Sequence, residues 1–199
     1  MRFLAGLIAA TACLGAASAQ PTATTAWNIP ELHIGLTLPA GWTVDTPSSP
    51  GLYGATKASQ RAGSPAEAFC LVSDLATGAP DPGEKPMTQD DINRGNAPLP
   101  LDLWITLMSG LGIDHLTWLE SRPTIIVDGK AAVSARGATD GKPIRRIVHM
   151  AQVMTPERLY PVVCLYYTGL PPFQESAEFR ARALAEFETL LRTFHTVSN

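Results

Sequence analysis

The chain has 199 residues, 45% of them hydrophobic and 17% charged, with a formal net charge of −3. That is enough chain and enough apolar side chain for one domain with a buried core. It has no basic excess, no Lys/Arg cluster and no zinc-finger or RNA-binding motif, which speaks against nucleic acid and against anionic lipid surfaces as partners.

Arg2 is the only charge in the first 30 residues, and Phe3 to Cys13 is an apolar run rich in Leu, Ile and Ala. Ala17-Ser18-Ala19 then offers small residues where a signal peptidase requires them. Residues 1–19 therefore read as a secretory signal, cleaved between Ala19 and Gln20. The run is too short to span a bilayer, which takes roughly 20 residues, and no later segment is long and apolar enough to do so. Ala10-Thr11-Ala12-Cys13 lacks the usual Leu three positions before the cysteine, so cleavage is preferred to lipid anchoring at Cys13. Processing leaves 14 Lys+Arg against 18 Asp+Glu, a net charge of −4. Arg outnumbers Lys 11 to 4, and the chain is rich in Ala, Gly and Pro. This composition points to a GC-rich bacterial source, with the periplasm or the medium as destination. Cys13 departs with the signal, and Cys70 and Cys164 remain. An even pair in an oxidising compartment favours a disulfide; two separate buried thiols are the alternative.

Residues 20–29, small, polar and Pro-containing, read as a flexible lead-in to a domain covering 30–197. In Glu31 to Leu38 the residues Leu32, Ile34, Leu36 and Leu38 alternate, which predicts a half-buried strand ending at the Pro39-Ala40-Gly41 turn. Segments 52–58 and 66–75 follow as strands. Ala68 to Val72 is apolar on both faces and reads as a central strand covered on both sides. Residues 76–86 carry Gly78, Pro80, Pro82, Gly83 and Pro86, a loop. Thr88 caps a helix whose first turn holds Asp90 and Asp91, and Asn93 to Pro100 interrupts it. Leu101, Trp104, Leu107 or Met108, and Leu111 recur at helical spacing. Asp128-Gly129 and Asp140-Gly141 are two-residue hairpin signals, and Thr155-Pro156 opens a further turn. The segments between, about 116–127, 130–138, 142–154 and 158–168, form an antiparallel meander with apolar residues on both faces. A final helix spans about 176–193. Its stripe is Ala177, Leu184, Phe187, Leu191 and Phe194, with Leu190 beside it; Glu178, Glu186, Glu188 and Arg192 face water. These elements make an α+β domain: an antiparallel sheet of about six to seven strands, covered by helices on both faces.

Leu36-Thr37-Leu38-Pro39-Ala40-Gly41-Trp42 resembles the strand-then-P-x-G-W opening of PsbP-like domains, the group that includes a photosystem II extrinsic subunit and the Ran-binding Mog-type proteins. Val127 to Ala132 resembles that family's central hairpin. Leu159-Tyr160 to Cys164, followed by a helix ending in Phe187, Leu190, Leu191 and Phe194, resembles its close. The resemblance follows element order over most of 30–196. It implies an α/β/α sandwich acting as a protein-binding module, and it brings no active site.

No catalytic constellation emerges from the residues. There is no G-x-S-x-G elbow around Ser64 or Ser109, and no Gly-rich phosphate cradle. His33, Asp114-His115, His149 and His195 are scattered, so no metal or cofactor is expected. Arg145 and His149, four apart on one strand face, are the candidates for an anion site. Solvated arginines paired with acids on a neighbouring strand are the preferred reading of that cluster. The expected function is a periplasmic, non-catalytic binding or accessory module whose partner is another protein of the envelope. The alternatives are a hydrolase-like enzyme whose site assembles in the fold, and a small-ligand carrier with an apolar cavity between sheet and helices.

Overall fold

The computed structural model describes residues 23–45, 51–58, 66–77, 83–95, 97–110, 113–140, 145–168 and 176–197. The signal, its Ala19/Gln20 junction, Cys13, Ser64, Leu111, Pro171-Pro172 and the tip of the Asp140-Gly141 turn lie outside these residues. The protein is mixed α+β, with an eight-stranded and a three-stranded antiparallel sheet.

The small sheet contains the first departure from expectation. Thr25–Ile29 form β1, not part of a flexible lead-in. Trp27 and Ile29 point inward and are 2% and 1% exposed, and the whole strand pairs with β2, Ile34–Leu38. Burying a tryptophan and an isoleucine outweighs the polar look of the segment. A 3-10 turn, Pro30–Leu32, joins the two strands and ends at His33, which adopts a left-handed φ of 55° and donates its N–H to the Pro30 carbonyl. The last strand, β11 (His195–Thr196), pairs with the other edge of β2.

The large sheet begins with β3 (Trp42–Val44), β4 (Leu52–Lys57), β5 (Ala68–Ser73) and the two-residue β6 (Leu75–Ala76). It continues with the meander β7 (Leu116–Val127), β8 (Lys130–Thr139), β9 (Arg146–Met154) and β10 (Arg158–Tyr167). The order is β3-β4-β5-β10-β9-β8-β7, with β6 pairing β10 beside β5. The expected single sheet of about six to seven strands is corrected: β2 lies in the small sheet, and β3 and the separate β6 bring the large one to eight. The β7–β8 turn has φ values of 47° at Asp128 and 70° at Gly129, the positive pair that a type I′ hairpin requires. Farther along β8, a Cβ added to Gly137 would lie 2.7 Å from the Trp118 carbonyl oxygen. Glycine is therefore needed where β7 shifts register between Leu116 and Trp118.

Three helices are described. α1 (Gln89–Gly95) starts at a reciprocal cap: Thr88 Oγ1 accepts from the Asp91 N–H at 3.2 Å, and Asp91 Oδ2 accepts from the Thr88 N–H at 3.1 Å. The helix runs through Asn93 because that side chain bonds the hairpin, donating to Gly129 O at 2.8 Å and accepting from Ala131 N at 2.9 Å. α2 spans Leu101–Gly110, and α3 spans Ala177–Arg192 behind an N-cap at Ser176, whose hydroxyl accepts from Phe179 N. The inward residues of α3 are Ala183, Phe187, Leu190 and Leu191, while Ala177 is exposed.

The core divides along the sheet. Ile147, Ala151 and Val153 of β9 pack in one cluster with Phe187, Leu190 and Leu191 of α3. Val148 and Met150, which alternate with them, pack in a second with Trp104 and Met108 of α2. The expectation that β5 is covered on both sides is corrected. Ala68, Cys70 and Val72 are buried, but Phe69, Leu71 and Ser73 are only partly covered. The half of the sheet around β5 thus keeps one face partly open.

Candidate functional site

Cys70 and Cys164 face each other directly in the β5–β10 register, are both 0% exposed, and lie at disulfide distance with Cα atoms 4.0 Å apart. Neither is placed to act as a nucleophile.

The structure separates the two anion-site candidates. Arg145 precedes β9, is exposed, and its Nε lies 4.0 Å from Asp140 Oδ1. His149 sits mid-strand and is 2% exposed. Its ring stacks on Phe187 with centroids 5.4 Å apart and meets Tyr166 edge-on at 5.7 Å. Both ring nitrogens are buried without a hydrogen-bond partner. Burial, reinforced by the positive charges of Arg122 and Arg136, pushes its pKa down to about 4. The two candidates thus occupy different environments, Arg145 at the surface beside Asp140 and His149 inside the α3-facing core.

The α3-facing side also holds an ion cluster that the linear sequence did not reveal. Lys57 Nζ donates to Glu186 Oε1 at 2.5 Å and lies 3.4 Å from Glu67 Oε1. Arg182 bonds the same Glu67 oxygen at 2.6 Å, and the Trp42 indole donates to Glu186 Oε2 at 3.2 Å. Glu186, expected to face water, instead has a side chain only 15% exposed. Next to this cluster the Tyr166 hydroxyl is buried with no partner, and burial, with the carboxylates of Glu186 and Glu67, raises its pKa well above 10. Lys57, Glu67, Glu186 and Arg182 each have an opposite charge within 4 Å, so the cluster clamps α3 to the sheet.

The remaining polar candidates are apart. Ser109 donates to Asp114 Oδ1 at 2.5 Å on the surface, and His115 adopts a left-handed φ of 59°. His195 lies in β11, far along the chain from either. Among the described residues no group of three or more His, Cys, Asp or Glu is placed to hold a metal ion.

An open cleft of about 940 Å³ lies between α1 and the turn that joins β9 to β10. Its walls are fixed by local bonds. Gln89 donates to Met154 O at 3.1 Å, and Thr77 ties the chain beyond β6 to the turn through Glu157 O and Pro156 O. Its lining is thioether and aliphatic (Met87, Ile92, Leu99, Met154, Leu159), rimmed by Glu84, Lys85, Asp91 and Glu157. Met87 is 61% exposed. Among the described residues no His, Cys or Ser lines the cleft; its polar side chains are carboxylates, Lys85 and the hydroxyls of Thr77 and Thr155.

No protein-family model matches the chain, and no curated protein matches it. Among solved structures it is similar to a cyanobacterial PsbP from Synechocystis sp. PCC 6803, at 13% identity and a TM-score of 0.49, over 92% of this chain and 98% of that one. It is also similar to a crystal structure from Bacteroides thetaiotaomicron VPI-5482, at 10% identity and a TM-score of 0.46. That match covers 84% of this chain and 46% of the other, so the chain spans about half of that protein's length.

Proposed function

We propose that the mature chain is a secreted, non-catalytic binding module of the cell envelope, and that its partner is a protein segment seated in the cleft between α1 and the β9–β10 turn. The observation that carries this is the cleft's lining. Exposed methionine and aliphatic side chains adapt to varied apolar anchors. The rim carries carboxylates beside Lys85, and Asp91 among them is already paired with Arg94 at 2.6 Å, so the apolar lining, not charge, recommends the partner. The leader supports an extracytoplasmic address, and the opposed cysteines are compatible with an oxidising compartment. No described helix is long and apolar enough to cross a membrane. We further read the architecture as an α/β/α sandwich, a reading supported by the alternation along β9, with α3 packed against one set of its side chains and α2 against the other.

The test is an affinity capture from periplasmic extract on immobilised mature protein. The wild type is expected to retain an envelope protein, and Met87→Asp, at an exposed position, is expected to lose it while unfolding normally. Equal capture by both proteins would overturn the cleft as the docking site.

A further inference from the structure

We propose that a second site, an apolar cavity of about 260 Å³ beneath α2, binds a compact uncharged molecule of mainly aromatic or aliphatic character carrying one hydrogen-bond acceptor. The cavity follows from two irregularities. The first is in the sheet. β10 pairs with β5 from Val162 to Tyr166 and with β6 at Arg158 and Leu159, which leaves Tyr160 and Pro161 between the two pairings. Pro161 has no N–H to give and falls in that break, and Ser73 and Leu75 flank it on the opposite strand. All three line the cavity. The second is in α2, where Leu101, Leu103 and Ile105 are exposed and Trp104 and Met108 are buried. Trp104, Leu107 and Met108 form the helix side of the cavity above Val163.

Size and chemistry narrow the occupant. An apolar cavity of about 150 Å³ accommodates benzene, so 260 Å³ takes roughly ten non-hydrogen atoms in proportion. Among the described residues no charged side chain lines the space, and a charged ligand would lose its hydration there without compensation. One polar group gives the site direction. Gln152, 6% exposed, brings a carboxamide from β9 to the wall. Its N–H can donate to an acceptor on the ligand, the pattern of a pocket whose walls are apolar and whose few polar groups orient what enters. The site is separate from the cleft at α1 and shares no lining residue with it.

The experiment uses 1-indanone, which carries a carbonyl acceptor, and indane, the same bicycle without it, each titrated into the mature protein by ligand-observed NMR. Saturable one-to-one binding of 1-indanone is expected, with indane weaker by about fivefold to tenfold, the worth of one net hydrogen bond. Gln152→Leu is expected to bring the two ligands to equal affinity. Val163→Phe, which fills the space, is expected to abolish both, and Leu107→Phe serves if that variant does not fold. No saturable binding, or binding that survives the filling variant, would show the cavity to be a packing void. Equal affinity of the two ligands for the wild type would overturn the acceptor-bearing class of ligand. Met87→Asp leaves this binding unchanged, so the cleft and the cavity succeed or fail independently.

Discussion

Lowering the pH from 7 to 5 is expected to cost the fold about 2 kcal/mol through His149. The residue lies under α3 against Phe187, Tyr166 and the Cys164 strand position, with Arg136 opposite it on β8 and Arg122 beyond on β7. Its pKa falls from the ordinary 6.5 to about 4, chiefly through burial. The folded state therefore holds its imidazole neutral where the unfolded chain has already bound a proton. Stability is complete above pH 6.5, declines as pH falls below it, and reaches a full loss of about 3 kcal/mol below pH 4. His149→Phe keeps the ring stack and removes both the titration and two buried, unpaired nitrogens, whose burial costs about 1–3 kcal/mol. Urea unfolding of both proteins at pH 7, 6 and 5 gives the comparison. Every other ionisable side chain is common to both proteins, so its contribution cancels in the difference. The expected result is a gap between the two stabilities that widens by about 2 kcal/mol as the pH falls. Parallel curves would refute the reasoning and place a proton donor or solvent at the imidazole.

Two other perturbations probe the clamp and the bridge. Lys57→Met leaves Glu186, largely buried between α3 and the sheet, with the Trp42 N–H in place of a cation, and is expected to cost about 3–5 kcal/mol in chemical unfolding. Adding Glu186→Leu should restore much of that, and a loss below about 1 kcal/mol for the single variant would mean the pair is effectively solvated. Replacing Cys70 and Cys164 together by Ala is expected to lower stability by about 4–5 kcal/mol, the chain-entropy value for a separation of 94 positions. In the unfolded, unreduced mature protein neither cysteine should react with a thiol reagent.

What the sequence disclosed was local. Thr88 and Asp91 cap a helix within four residues, Asp128-Gly129 carries its own turn, and the 116–127 strand ends at that turn. The misses share a different cause. Glu186 looks solvent-facing on a helical wheel because the wheel does not contain Lys57, 129 positions earlier. His149 looks like a polar strand residue until Phe187 covers it. Thr25–Ile29 looks like a linker because its strand character comes from β2. The cleft and the cavity were equally illegible, since each is made by elements whose packing no single segment encodes.

The small sheet has a consequence for how the chain is assembled. His195 pairs with Gly35, 160 positions earlier, and Thr193 Oγ1 accepts from Thr37 N. Synthesis thus delivers Ile34, Leu36 and Leu38 long before the helix and strand that cover them. Contacts so distant along the chain slow folding, because loop closure precedes any gain from them. The first strands wait, unsealed, for the last turn of α3. Beginning and end of the domain then meet in one three-strand seam, which cannot close until the chain has been made as far as Thr196.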